Sequence, residues 1–153
     1  MTTVTDETEL NQAIAAIDGI TAAGTYTIDI AGTITEGTDT GAGLPPDLYA
    51  INLQPGVSLV IDGGGTGTLD GANAYRGFFV YAGDVTIENL TIANAVAIGG
   101  AGDGGAGGGA GLGGGLFVTG RSSGNGGVVT LDNVAFADDG VAGGASSVAF
   151  GTG

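Results

Sequence analysis

Three short segments of this chain can be laid over one another, and that overlay constrains the fold more than any other feature. They are Val57-Ser58-Leu59-Val60-Ile61-Asp62-Gly63, Asp84-Val85-Thr86-Ile87-Glu88-Asn89-Leu90 and Val128-Val129-Thr130-Leu131-Asp132-Asn133-Val134, with Ile61, Ile87 and Leu131 equivalent. A second set precedes them: Ala50-Ile51-Asn52, Phe78-Phe79-Val80 and Leu116-Phe117-Val118, and Ser147-Val148-Ala149-Phe150 opens a further copy. The step from Ile61 to Ile87 is 26 residues and from Ile51 to Phe79 it is 28, whereas the next steps are 44 and 38. The excess is accounted for by the tract Gly99 to Gly115, nearly all Gly and Ala, inserted in one turn.

Self-similarity of short strands at a fixed period is the mark of a solenoid. A period in the twenties with several strands per repeat predicts an all-β, right-handed parallel β-helix, one coil per repeat. A β-sandwich or hairpin meander is the alternative; it explains strands and turns but not their return in register. With side chains alternating in and out, Val85, Ile87, Leu90 and Ile92 point into the core and Thr86, Glu88 and Thr91 outward. Asn89 and Asn133, with Gly63 equivalent, fall at one turn position, and all three tolerate the left-handed backbone of a sharp bend. At a strand spacing of about 4.8 Å, Asn89 and Asn133 are expected to form a short hydrogen-bonded ladder.

Residues 6–17 read as the one convincing helix. Asp6 caps its first turn and Glu9 sits three later, as in a capping box. Leu10, Ala13, Ile14 and Ile17 make one apolar stripe, and Gly19 and Gly24 follow as stop signals. Such a helix needs a surface to pack on, and the open end of a solenoid offers one. The expected organisation is a cap helix and linker over 1–24 and coils over 25–153, with the insertion at 99–115. The coils are expected to continue beyond 153 in a longer parent, or to meet another subunit. Met1 is followed by polar residues, without the basic start and apolar run of a signal peptide; secretion would need a signal outside this chain.

The chain has 153 residues, 35 of them Gly, with no Cys and no His. Hydrophobic residues make up 42%, too many for a wholly disordered chain. Sixteen acids face two bases, Arg76 and Arg121, for a formal charge of −14. Nucleic acid and anionic membranes are therefore poor partners, since phosphate binding needs clustered Lys and Arg. Cations, basic surfaces or simple solubility suit the balance better. The lack of Cys fits a secreted bacterial protein and equally a cytosolic one.

The stretch from Val57 to Gly144 resembles the β-helical passenger regions of autotransporter-like and giant repeat-containing bacterial adhesins. The resemblance rests on "GVSLVIDGGGTGTLDG", "RGFFVYAGDVTIENLTIANA" and "GLGGGLFV…GGVVTLDNVAFADDG". The opening "TELNQAIAAI…GTYTIDIAGTI" is similar to the cap and first coil of pectate-lyase-like β-helices. The resemblance implies secretion to a Gram-negative cell surface and a role in adhesion or biofilm matrix. Its motifs specify architecture far better than chemistry.

A polysaccharide lyase needs a strong base near bound calcium. This chain has no Lys or His, and neither Arg76 nor Arg121 has an acid cluster at a recognisable spacing. Asp138-Asp139 is similar to the paired acids of polygalacturonase-like hydrolases, without the accompanying basic motifs. Two carboxylates alone can in principle cleave a glycoside, but a solvated turn before Gly140 accounts for the pair. The tract 99–115 lacks the Gly-Lys-Ser/Thr ending of a phosphate loop. Gly99-Gly100-Ala101-Gly102-Asp103 comes near a repeat-in-toxin calcium motif, with its Asp one place early. The tract is read as a loosely ordered excursion, with a contact surface as the alternative. Asp62, Glu88 and Asp132 share a position and should face outward in one column. Like charges on adjacent strands repel, so either water and salt screen them or calcium bridges them; no other cofactor is implied.

The expected function is a non-catalytic structural and interaction segment of a secreted surface adhesin or matrix protein. Expected partners are a host or neighbouring cell surface, matrix polysaccharide, or a second copy at the uncapped C-terminal coil, with no nucleic acid and no membrane insertion. The alternatives are a self-assembling extracellular filament subunit and a polysaccharide-binding or -cleaving protein.

Overall fold

A computed structural model describes residues 1–39, 47–120 and 126–147. Its elements, in chain order, are β1 (Thr2–Val4), α1 (Glu7–Asp18), β2 (Gly24–Ile30), β3 (Thr33–Thr35), β4 (Ile51–Asn52), β5 (Val57–Asp70) and β6 (Phe78–Ala93). They continue as β7 (Val96–Ile98), β8 (Leu116–Val118), β9 (Gly127–Asp132), β10 (Ala135–Ala137) and β11 (Gly140–Ala142).

Every strand pairing among the described residues is parallel. The main sheet has nine strands along the path β1-β2-β5-β6-β10, with β3 beside β5 and β4, β8 and β9 beside β6. The overlay sets the register. Ile28 stands beside Ile61, Ile61 beside Ile87, and Ile87 beside Leu131. Val85, Ile87, Leu90 and Ile92 are buried in the core, while Thr86, Glu88 and Thr91 are half-exposed. One alignment slips: Phe79 meets Phe117 as expected, but Ile51 pairs with Val80 rather than Phe79. A one-residue slip exchanges the faces of a strand, and this one matches two buried residues, Ile51 and Val80.

The right-handed parallel β-helix expected from the period is corrected by this pairing. The strands form a curled half-barrel of parallel strands rather than a closed solenoid, and only the two-stranded sheet β7–β11 stands apart from it. The reason lies in the segment that a further wall would require. Residues 99–115 carry no alternating apolar side chains and form no strand between β7 and β8. That tract is nevertheless no loose excursion. The amide of Gly109 donates to Gly100 O at 2.7 Å, and Gly144 donates to Gly109 O at 2.8 Å. A Cβ on Gly108 would lie 1.9 Å from Gly144 O, and one on Gly144 the same distance from Gly100 O. The glycines permit backbone to pack directly on backbone, a spacing no side chain would fit.

The helix closes one end of the core. Asp6 is its N-cap and accepts from the Glu9 amide at 2.8 Å; Glu9 reaches back to the Thr5 amide, also at 2.8 Å. Leu10, Ala13, Ile14 and Ile17 are buried in the same apolar cluster as Ile28, Ile61 and Ile87. Burying each large side chain contributes about 1.5–3 kcal/mol, so α1 is held by packing rather than by its own propensity. Strand β1, three residues before the helix, leaves too short a pattern to be read from sequence.

Candidate functional site

Two corners of the sheet carry parallel polar ladders. Asn89 and Asn133 have φ of 51° and 53°, in the left-handed region. Asn89 Nδ2 donates to Asp62 Oδ1 at 3.1 Å, and Asn133 Nδ2 donates to Asn89 Oδ1 at 3.1 Å. At the neighbouring corner Asn94, φ 53°, donates to Asp70 Oδ1 at 3.1 Å. The place given to Gly63 is different. Positive φ falls on Gly64 and Gly65, because the register between β5 and β6 shifts from Asp62 to Gly67. Gly63 is required for closeness instead, since a Cβ there would lie 2.4 Å from Asn89 O.

The register does align Asp62, Glu88 and Asp132 as adjacent partners, and it extends the column to Asp29. Asp62 turns its Oδ1 to the Gly64 amide at 2.8 Å and to Asn89. Both of these neutral donors fall on Oδ1. Among the described residues no group of three or more His, Cys, Asp or Glu side chains is placed to hold a metal ion. Asp29 was missed because its segment was not laid over the other three.

Asp138-Asp139 forms a turn. Asp138 has φ 57°, and Asp139 Oδ1 accepts from the Ala95 amide at 2.7 Å. Burial raises the Asp139 pKa, the Ala95 hydrogen bond opposes that shift, and Asp138 adds to it. Arg76 precedes β6, and Arg121 lies outside the described residues. On the outer face Phe79 packs edge-on against Phe117 and Tyr81, with centroids at 5.3 and 6.4 Å. The rings stand at 68° and 85° to one another, so they do not make one flat platform for a sugar.

The most heavily buried polar groups gather at the first turn of α1, where Glu7, Asn11, Glu36 and Asp39 are all buried. Glu7 Oε2 accepts from the Thr38 amide at 2.7 Å, Thr38 Oγ1 at 3.2 Å and the Asp39 amide at 2.6 Å. Asn11 bridges the Tyr49 amide, at 2.8 Å, and Asp39 Oδ2, at 3.2 Å. Glu36 has both carboxylate oxygens buried without a hydrogen-bond partner. Burial pushes its pKa up from 4.5 to about 9, and the negative charges of Glu7, Asp47 and Asp70 reinforce the shift. The sequence held a signal for both glutamates. Glu36 continues the alternation after buried Ile34, and Glu7 lies on the stripe of Leu10 and Ile14.

At the far edge of the sheet the core columns run out into solvent. Leu131, Phe136 and Val141 are 45%, 47% and 60% exposed, whereas their partners Ile87, Ile92 and Ala97 are 0%, 0% and 1% exposed. Ile98 and Val128 are exposed beside them.

No known protein family, no curated protein and no solved structure matches the chain. Among the described residues no helix is long and apolar enough to cross a membrane.

Proposed function

We propose that this chain is a non-catalytic interaction scaffold whose working surface is the exposed edge formed by β9, β10 and β11, and that the edge pairs with a second copy of the chain. The observation that carries this reading is the exposure of Leu131, Phe136 and Val141 in columns whose inner members are fully buried. A parallel sheet is ordinarily covered, and an open apolar edge recruits strands. The opposite end is covered by α1. Two like edges facing each other make a closed, isologous pair rather than an open filament. A surface adhesin or matrix protein is the setting that the resemblance of Val57 to Gly144 suggests, and a bridging pair of rigid acidic scaffolds suits that role.

Light scattering across concentration tests the pairing. The expected result is a monomer–dimer equilibrium that shifts to monomer when Leu131→Asp and Phe136→Asp are combined. A wild-type monomer at every concentration, or polymers growing past the dimer, would overturn the reading. Cleavage products from acidic or neutral glycans would overturn its non-catalytic part.

A further inference from the structure

We propose that Glu7 and Glu36 together bind a hard divalent cation, of the calcium or magnesium kind, at the corner where the first turn of α1 meets the end of β3. Three carboxylate oxygens there, Glu7 Oε1 and both oxygens of Glu36, are buried with no hydrogen-bond partner. The two side chains are 0% and 2% exposed. An ionised carboxylate in such a place is strongly unfavourable without a donor or a counter-ion.

Among the described residues no cation acts on Glu36. Each charged group acting on Glu36 is an acid, namely Glu7, Asp47 and Asp70. The chain holds no Lys or His, and Arg76 is not among the groups acting on Glu36. A proton on Glu36 neutralises that group alone. A divalent ion gives the bare oxygens of both side chains a partner.

The geometry is fixed on either side. Glu7 is held by Thr38 and Asp39 through Oε2 alone, which leaves Oε1 outside that set. Glu36 is anchored by its amide, which donates to Asp70 O at 2.9 Å. Hard oxygen donors of this type suit calcium, which takes mixed ligand sets, and magnesium, which commonly keeps several waters and only one or two carboxylates. A site of two carboxylates is consistent with the lack of any three-acid group among the described residues. It is distinct from the outward column of Asp62, Glu88 and Asp132.

The test is thermal denaturation of the chelator-treated full chain, with calcium chloride or magnesium chloride added at constant ionic strength. One ion is expected to raise Tm by about 5 °C or more at 100-fold above its dissociation constant; which of the two does so identifies it. The rise should vanish in Glu36→Gln and in Glu7→Gln and persist in Glu88→Gln. No rise with either ion overturns the proposal, as does a rise that survives both Glu36→Gln and Glu7→Gln. A rise lost in Glu88→Gln places the ion on the outward column and overturns it equally.

Discussion

Replacing Glu36 with glutamine should stabilise the chelator-treated protein at neutral pH. The Glu36 carboxyl titrates near pH 9 in the folded chain against an ordinary value of 4.5, chiefly because it is buried. The folded state therefore holds the proton that the unfolded chain releases. For an acid with a raised pKa, the stability it contributes is full below pH 4.5 and is lost as pH climbs towards 9. Each pH unit inside that window costs about 1.4 kcal/mol. The interval from 4.5 to neutrality then amounts to about 3 kcal/mol. Glutamine is neutral in both states and nearly isosteric, so Glu36→Gln should recover that amount at pH 7 and little of it at pH 5. The assay is urea denaturation of both proteins at pH 5, 7 and 8.5, comparing their difference rather than absolute values, since the other acids contribute equally to each. A difference that stays flat with pH, or a variant less stable than wild type at pH 7, would refute the assignment of a buried neutral Glu36.

Two adjacent glycines separate close packing from looseness in the Gly-Ala tract. A Cβ on Gly108 would lie 1.9 Å from Gly144 O, whereas one on Gly107 would meet nothing within 4 Å. Gly108→Ala should lose about 2 kcal/mol or more, and Gly107→Ala should be neutral or gain about 0.5 kcal/mol; equal effects in urea denaturation would mean that the tract is not packed. At the first corner, Asn89→Ala loses the hydrogen bonds to Asp62 and Asn133 and leaves at φ 51° a residue without the polar side chain that lets Asn tolerate the left-handed region. A loss of about 2–3 kcal/mol is expected, with Asn89→Gly losing about 1 kcal/mol because it keeps the backbone free. If the two variants unfold alike, the left-handed turn contributes nothing beyond the ladder.

Register in the set Ile61, Ile87 and Leu131 was legible because it is a local matter, whereas the Ile51–Phe79 alignment slipped by one residue. Ile61, Ile87 and Leu131 align wherever an apolar residue recurs in the same short strand, and burial on one face then fixes the pairing. The helix was legible for a similar reason, since Asp6, Glu9 and the Leu10–Ile17 stripe all point to the same element. Closure was not legible. Whether parallel strands wrap into a full solenoid depends on segments that carry no strand pattern, and the tract 99–115 reads the same whether it flaps or packs. The buried acids were missed for the opposite reason. Glu7 and Glu36 obey the periodicities of their elements, but a carboxylate on an apolar face runs against expectation. Reading the period without regard to polarity would have placed both inside.

Apart from the buried Glu7 and Glu36, two groups of acids on this chain have different electrostatic consequences. Asp62, Asp70 and Asp139 each accept a backbone amide at a turn, so neutral donors offset part of their charge. Asp132 and Asp138 sit at the open edge, beside exposed Leu131 and Phe136. Two copies meeting there bring like charges together across an apolar contact. At 0.1 M salt the screening length is about 10 Å, short enough to weaken that repulsion while the apolar attraction remains. Pairing through this edge should therefore strengthen as salt is raised, the reverse of an assembly held by ion pairs, and dimerisation that weakens with salt would show that ion pairs rather than this apolar edge hold the two copies together.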